Sequence, residues 1–292
     1  MSQRINSRML VAPTIVVMVA FMILPMLVAF GYSLMTSGPY GGVRWPISGA
    51  GYQQMLFQRD LDDQLVFSPA YLWIIARSIV LAALTAIFSL AIGLPIAWYI
   101  VCQSPQQRLR LLFLTTLPFW INTLIRTYCW VLILRDEGLL NIGMRKLGLI
   151  ETYIPFLYND IAILLGLVYT FVPFMILPIY STLERINPAI IEASHDLYAS
   201  RWITFRRIIW PLARPGAVAG GLLVFAPALG SFLAPDLLGG GKHLLIGSLI
   251  QLQFTSSRNW PFGAALDTLV TLGILIALLF FAGKSLRAAV RQ

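Results

Sequence analysis

Six long apolar runs, separated by polar segments, dominate the pattern of the chain. The runs occupy residues 10–35, 73–101, 111–134, 161–183, 216–238 and 262–283. Each is long enough to cross the hydrocarbon core of a bilayer, which takes about 20 helical residues. A helix satisfies its backbone polar groups internally, as a lipid environment requires. The pattern therefore predicts an all-α, polytopic membrane protein with six transmembrane helices.

The runs predict a single transmembrane domain over residues 1–292. The first run is too long for a cleaved signal peptide and is followed by no small-residue cleavage site, so we interpret residues 1–35 as a first span and signal anchor. The remaining spans form a five-span core over residues 73–283. The polar segment at 36–72 and the segment at 239–261 are predicted to be loops, and residues 139–147 a short helix.

The charge distribution indicates how the spans are oriented. The chain is 58% hydrophobic and 11% charged, against about 25% charged residues in a soluble domain. Twelve Lys and Arg residues lie in the two ends, the 102–110 loop and the 185–214 segment, against seven in the other three loops. Positive residues favour the cytoplasmic side, so we expect both termini and the 185–214 segment in the cytoplasm. The net charge of +9 then reflects orientation in membrane lipid, and no nucleic-acid partner is predicted.

The segment at 185–214 is predicted to form a compact helical elbow between spans four and five. Asn187 followed by Pro188 is a typical helix start, because Asn caps and Pro is tolerated at the first helical position. We expect a second short helix over residues 201–210 to be stopped by Pro211, and Pro215 to begin the fifth span. The alternative from the residues alone is a solvated loop.

The elbow resembles the cytoplasmic loop of permease subunits in bacterial ATP-binding-cassette importers. That pattern is Glu-Ala-Ala, three residues, Gly, nine residues, Ile, one residue, Leu-Pro. The matching positions here are Glu192, Ala193, Ser194, Tyr198, Ile208, Trp210 and Pro211. Tyr198 replaces the Gly of the pattern and Trp210 replaces the Leu.

The resemblance implies a cytoplasmic coupling helix and a set of partners in the bacterial inner membrane. The residues expected to contact an ATPase are Glu192, Ala193, Ser194, Asp196, Leu197, Tyr198, Ala199 and Ser200. The implied partners are a homologous sister permease chain, a dimeric cytoplasmic ATPase and a periplasmic substrate-binding protein. ATP and magnesium are expected in the ATPase, and no cofactor in this chain.

Further motifs resemble the spermidine/putrescine branch of that permease family. They occupy residues 124–128, 173–175, 222–224, 236–240, 244–247 and 260–265. Asn259 stands where the branch has Asp, and Asp267 where it has a small polar residue. The resemblance implies half of an uptake pathway for polyamine or a related cationic amine. The alternatives are another amine, an opine-like amino acid derivative or a phosphonate in the same family, or a stand-alone secondary transporter.

Three charged residues, Arg126, Asp236 and Asp267, lie within predicted spans, where charge is costly and usually faces a bundle interior or a cavity. Counting along the helices places all three toward the periplasmic side. One interpretation is an Arg–Asp pair that joins helices. The other is an unpaired Asp that meets a cationic substrate, with Arg77 as a candidate partner for the second acid. The aromatic residues considered for the pathway are Tyr128, Phe232 and Trp260.

Nothing in the sequence indicates covalent chemistry. The chain has two isolated cysteines, Cys102 and Cys129, and two histidines, which give no metal-ligand spacing. We interpret both cysteines as small buried hydrophobes. The Gly run before Lys242 lacks the Ser or Thr and the strand of a phosphate-binding loop. No catalytic residue, no metal site and no enzymatic activity are therefore predicted.

Overall fold

The computed structural model describes residues 7–59 and 64–289 and is predominantly helical. The helices are α1 (Ser7–Ser33), α2 (Ala50–Gln53), α3 (Ala70–Val101), α4 (Pro105–Thr116), α5 (Thr123–Leu134), α6 (Leu139–Lys146), α7 (Asp160–Leu183), α8 (Pro188–Asp196), α9 (Arg201–Thr204), α10 (Trp210–Gly230), α11 (Leu233–Leu238), α12 (Ile246–Thr255) and α13 (Trp260–Ala289). The strands are β1 (Met35–Ser37), β2 (Val43–Ile47), β3 (Phe57–Arg59) and β4 (Leu65–Phe67). The acidic cluster at Asp60, Asp62 and Asp63 lies outside the described residues.

Among the described residues, five helical runs are long and apolar enough to cross a membrane, and a bent helix pair makes six if it is counted as one span. The five are Pro13–Ser33, Ala70–Val101, Asp160–Leu183, Arg201–Gly230 and Trp260–Phe280. The predicted fold class, a mostly helical protein with several membrane spans, is thus confirmed. The short helix predicted at 139–147 is α6.

The third predicted span is not a continuous helix. Its two halves, Pro105–Trp120 and Thr123–Lys146, are bent by 88° relative to each other. A 3₁₀ turn at Leu117–Trp120 ends the first half. Asn122 then starts α5, because its Oδ1 accepts a hydrogen bond from the backbone N–H of Leu124 at 2.8 Å. Proline and a new N-cap therefore interrupt a run that hydropathy alone shows as uniform.

The fifth span begins earlier and ends earlier than predicted. Arg201–Gly230 is one helical run, so Pro211 does not stop a separate elbow helix. A π-turn at Phe205–Ile209 precedes Pro211, and such widened turns accommodate a residue that cannot join the regular hydrogen-bond ladder. The helix ends at Gly230, because Ser231 is extended. Residues 233–238 then form the separate helix α11.

Two predicted loops contain regular structure. In the 36–72 segment, β1 pairs with β2 and β3 with β4, each as an antiparallel hairpin. In the first hairpin Thr36 lies opposite Arg44, with an irregularity between Met35 and Thr36. The 239–261 segment contains α12. Short strands and short helices of this kind carry too few residues to show a clear period.

The chain divides into two compact units. One contains residues 1–73 with 249–292, and the other contains residues 74–248. In the first unit α1 packs on α13, and the Tyr71 and Phe262 rings meet edge to face with centroids 4.9 Å apart. Gly51 of α2 lies so close to α13 that a Cβ would stand 3.1 Å from the Pro261 carbonyl oxygen.

The second unit is built on close packing of α7 with α10. A Cβ on Gly216 would lie 2.3 Å from Thr182 Oγ1, and one on Gly220 would lie 2.8 Å from Met175 Sδ. These two glycines are four residues apart, the small-residue spacing that lets membrane helices approach closely. Ile179 and Val224 are fully buried at this contact. Substituting either glycine would push the two helices apart.

Candidate functional site

The elbow starts as the sequence predicts. Asn187 is the N-cap of α8, and its Oδ1 accepts a hydrogen bond from the backbone N–H of Ala189 at 3.1 Å. Pro188 is the first helical residue, where its missing N–H leaves no hydrogen bond unmade. The elbow is therefore a capped helix and not an irregular loop.

The end of α8 explains why the family pattern has Gly where this chain has Tyr198. Tyr198 adopts the left-handed conformation, with φ of 55°. Its N–H donates to the His195 carbonyl at 2.9 Å, and the N–H of Ala199 donates to the Ser194 carbonyl at 3.0 Å. This pair of bonds is a Schellman motif, whose left-handed position is usually Gly. Tyr198 keeps the geometry, and its side chain is 97% exposed.

Two buried hydroxyl groups join the two helices of the elbow. Ser194 Oγ lies 3.1 Å from Thr204 Oγ1, and it also donates to the Ile191 carbonyl at 2.7 Å. Ser200 caps α9 by accepting a hydrogen bond from the backbone N–H of Ile203. Ser194, which was predicted to contact a partner, is buried and instead fixes the angle between α8 and α9.

The outer surface of the elbow combines apolar and charged side chains. Leu197 is 81% exposed, and the exposed Trp202 stacks on Phe205 with ring centroids 5.7 Å apart. The other exposed members of this surface are Glu192, Ala193, Asp196, Tyr198, Ser200, Arg201, Arg206 and Arg207. Ala199 is partly exposed. Exposed aromatic and leucine side chains of this kind are typical of a surface that binds another protein.

Arg126 is buried without a carboxylate partner. Its side chain is 7% exposed, and its Nη2 donates to Thr123 Oγ1 at 3.0 Å. Its Nε and Nη1 have no hydrogen-bond partner among the described residues. The guanidinium carbon lies 5.9 Å from the centroid of the Tyr169 ring. Within residues 74–248, all of which are described, Arg126 forms no ion pair, so it is not paired with Asp236.

Arg77 is paired with an acid other than the two considered for the pathway. Its guanidinium contacts the carboxylate of Asp160 and Nδ1 of His243 instead. His243 Nδ1 also lies 3.5 Å from Asp160. This three-residue cluster joins α3, the start of α7 and the segment after α11. No local spacing in the sequence predicts this cluster, because Asp160 and His243 are 83 and 166 residues from Arg77.

Asp236 lies outside the fifth span, in the first turn of α11. Asp236 was predicted to lie inside the fifth span, and this prediction was wrong because α10 ends early, at Gly230. The Asp236 side chain is exposed, and it forms no ion pair with any residue in 74–248. Phe232, directly before α11, and Tyr128 of α5 are also exposed. Helices α5 and α11 pack together.

Asp267 and Trp260 belong to α13 in the other unit. Asp267 is partly buried within the span. The Trp260 ring lies 6.3 Å from the Tyr32 ring and 6.3 Å from the Phe254 ring, between centroids. Asn259 precedes α13, and its Nδ2 donates to Gln54 Oε1 at 3.0 Å while its Oδ1 accepts from the N–H of Phe262 at 3.4 Å. An amide makes both bonds, because its nitrogen donates and its oxygen accepts.

The described residues offer no group of three or more His, Cys, Asp and Glu side chains that could hold a metal ion. Both cysteines are free and exposed, so the interpretation of Cys102 and Cys129 as buried hydrophobes was wrong. Cys102 lies just after the end of α3, and Cys129 lies on an exposed face of α5. The apolar pattern does not distinguish such a face in a membrane protein, where apolar side chains face outward as well as inward.

Up to six apolar spans among the described residues, close small-residue helix contacts and an ordered, exposed elbow define a polytopic membrane protein. The model of the family described as "Binding-protein-dependent transport system inner membrane component" matches residues 74–292. The chain belongs to this family and is a multi-pass inner-membrane permease. The match covers the elbow and every span after the first.

A relative extends this likeness to most of the chain. The spermidine/putrescine transport system permease protein PotB of Escherichia coli K12 is 40% identical over 262 residues, which are 90% of this chain and 90% of the relative. The resemblance stated from the sequence motifs is thereby confirmed.

Two solved structures share the fold. A bacterial ABC transporter involved in the import of the acidic polysaccharide alginate has a chain with a TM-score of 0.72 and 20% identity, covering 97% of both chains. The bacterial alginate ABC transporter in complex with an alginate pentasaccharide-bound periplasmic protein gives a TM-score of 0.68 at 19% identity, over 93% of this chain and 90% of the other. At these identities the likeness shows the fold alone.

Proposed function

We propose that this chain forms half of the membrane pathway of an ATP-driven importer for polyamines or a related cationic amine. The observation that carries the proposal is the 40% identity to a spermidine/putrescine permease over 90% of both chains. The match extends over 262 of the 292 residues. The motifs at residues 236–240 and 260–265 support the same branch.

The proposed importer has four kinds of subunit. A homologous sister permease supplies the other half of the pathway, and a periplasmic protein delivers the substrate to the outer loops. A dimeric cytoplasmic ATPase binds ATP and magnesium and receives the elbow in a groove, which is a helix-in-groove contact. The exposed Leu197, Tyr198 and Trp202 support this last contact, because a surface groove that binds a helix is lined by apolar side chains.

The acids Asp236 and Asp267 are our candidates for attracting the cationic substrate. A carboxylate in a water-poor cavity interacts with a cation more strongly than one in bulk water. Asp267 fits this argument better, because it is partly buried within a span, whereas Asp236 is exposed and forms no ion pair within residues 74–248. Few acids are expected, because the pathway must also release the substrate.

A different substrate within the family is the second candidate. Asn259 and Asp267 stand where the motifs of the polyamine branch lead us to expect Asp and a small polar residue. An amine of different length or charge spacing would fit a displaced acid. A stand-alone secondary transporter is the third candidate, and it would need no ATPase.

The deciding experiment is uptake into vesicles that carry the whole complex. Labelled spermidine, putrescine and a neutral amino acid are offered in parallel. Each is tested with and without ATP on the side of the vesicle membrane that carries the ATPase. We expect ATP-dependent uptake of a polyamine and no uptake of the neutral amino acid. ATP-dependent uptake of another compound would contradict the polyamine assignment, but the assignment as an ATP-driven importer would stand. Uptake that is equal with and without ATP would contradict the assignment as an ATP-driven importer.

The elbow contact has its own test. Glu192→Lys reverses a charge on the exposed face of α8, and Glu151→Lys reverses an exposed charge on another loop as the matched control. We expect the first variant to lose ATPase co-purification and uptake while it still inserts in the membrane, and the second to retain both. Normal uptake by the Glu192→Lys complex would contradict the proposed contact.

A further inference from the structure

A cleft of about 310 Å³ lies between the beginning of α4 and the end of α7. Its lining residues are Pro105, Arg108, Leu109, Leu112, Tyr180 and Glu184. Glu184 directly follows the last residue of the α7 span, and α4 begins a few residues after the α3 span ends at Val101. The cleft is therefore located where membrane-spanning helices end, at the level of lipid headgroups.

Two opposite charges line this cleft without pairing with each other. Arg108 donates through Nε to the Gln103 carbonyl at 2.7 Å, and the Tyr180 hydroxyl donates to Glu184 Oε1 at 2.6 Å. Within residues 74–248, which are described throughout, Arg108 and Glu184 form no ion pair with each other. The other guanidinium nitrogens of Arg108 and Oε2 of Glu184 form no hydrogen bond within these residues. Both side chains are held in place, and both keep atoms available for a ligand.

We propose that this cleft binds the headgroup of a zwitterionic phospholipid with a primary ammonium, phosphatidylethanolamine. Arg108 binds the phosphate, because the guanidinium presents several N–H donors that match phosphate oxygens. Glu184 accepts hydrogen bonds from the ammonium, and Tyr180 orients the carboxylate for it. Leu109 and Leu112 provide the apolar wall that the glycerol and the first acyl carbons need.

The charges of the cleft separate this lipid from other lipids. An anionic phosphatidylglycerol headgroup gains from Arg108 but meets repulsion from Glu184. A phosphatidylcholine headgroup carries a quaternary ammonium that has no hydrogen to donate to Glu184. The expected order of retention is therefore phosphatidylethanolamine, then phosphatidylcholine, then phosphatidylglycerol. This order depends on the cleft alone and not on which substrate the protein transports.

Native mass spectrometry of the full chain tests the proposal. The protein is reconstituted in nanodiscs with equal amounts of phosphatidylethanolamine and phosphatidylglycerol, released, and analysed for retained lipid. We expect preferential retention of phosphatidylethanolamine, which Arg108→Gln reduces about tenfold, the loss expected for one charge-assisted contact. Glu184→Gln is expected to remove the preference while lipid is still retained. The matched control is Arg110→Gln, at an exposed residue that does not line the cleft.

Several outcomes would overturn the proposal. Equal or stronger retention of phosphatidylglycerol by the unmodified chain would contradict the role of Glu184. Unchanged retention of phosphatidylethanolamine in both the Arg108→Gln and the Glu184→Gln variants would show that the cleft does not bind this lipid. Soluble glycerophosphoethanolamine added at millimolar concentration should not displace the lipid, and displacement would assign the cleft to a soluble zwitterion. This competition uses only the unmodified chain, so it remains decisive if a variant does not fold.

Discussion

The hydroxyls of Ser194 and Thr204 lie 3.1 Å apart in the buried interior of the elbow and connect α8 to α9. Because α9 continues through the π-turn into the Arg201–Gly230 span, a force on α8 reaches a transmembrane helix through this contact. If the elbow couples to an ATPase as we propose, we expect the coupling to depend on these two small polar side chains as well as on the exposed residues.

Removing this contact should weaken the elbow. Thr204→Val keeps the shape of the side chain and removes one hydroxyl, and we expect it to lower the free energy of unfolding by about 1 kcal/mol. The measurement is thermal or denaturant unfolding of the purified protein, with ATP-dependent uptake in parallel. A double-mutant cycle with Ser194→Ala is the control, since two residues in contact should show non-additive losses. Strictly additive losses would show that the two hydroxyls do not interact.

Replacing Tyr198 with Gly should stabilise the elbow. A left-handed conformation costs a side-chain-bearing residue roughly 1–2 kcal/mol, while Gly loses about 0.5–1 kcal/mol more backbone entropy than other residues. The expected net gain is about 0.5–1 kcal/mol, measured as a higher melting temperature. Ala199→Gly is the matched control, because Ala199 is not in the left-handed region and should only lose stability.

The same variant separates stability from partner binding. If the fully exposed Tyr198 ring contributes to the ATPase contact, Tyr198→Gly should bind the ATPase more weakly although it melts at a higher temperature. Unchanged or lower stability of Tyr198→Gly would contradict the assignment of strain to this position.

Much of the architecture could be predicted from the sequence, because lipid requires long apolar helices and these are visible as long apolar runs. The breaks inside the runs were not predicted. Hydropathy averages over about 19 residues and passes over Pro118 and Asn122, which together end one helix and start another. Conversely, Pro211 was expected to stop a helix and does not, because a π-turn absorbs its effect.

Side-chain partners were harder to predict than helices. Arg77 pairs with Asp160 and His243 across large sequence separations, so no local spacing indicates the contact. The elbow was predictable because its signals are local: an Asn-Pro cap and a short motif with fixed spacing. Even there, the burial of Ser194 depends on Thr204, which lies ten residues further on.

Arg126 should be replaceable by Met without loss of stability. Arg126 has no carboxylate partner within residues 74–248, and hydrophobic residues of similar size often stabilise a protein when they replace a buried ion that lacks a counter-ion. We expect Arg126→Met to melt at an equal or higher temperature than the unmodified protein. Arg126→Gln, which keeps a polar group at the buried position, is the matched control and should melt lower than Arg126→Met. A large fall in melting temperature for Arg126→Met would indicate that the guanidinium has a counter-ion in the assembled protein.

Neutralising the two acids tests the substrate pathway directly. Asp236→Asn and Asp267→Asn each remove one negative charge while keeping the size of the side chain. If each carboxylate attracts the cation, uptake of spermidine at low concentration should fall about tenfold per variant, which corresponds to about 1.4 kcal/mol. The loss should be smaller for a monovalent amine, because a single charge interacts with fewer acids. Asp136→Asn, at an exposed residue of another loop, is the matched control and should transport normally. Normal uptake together with a lower melting temperature in either acid variant would assign that acid to helix packing instead of to the pathway.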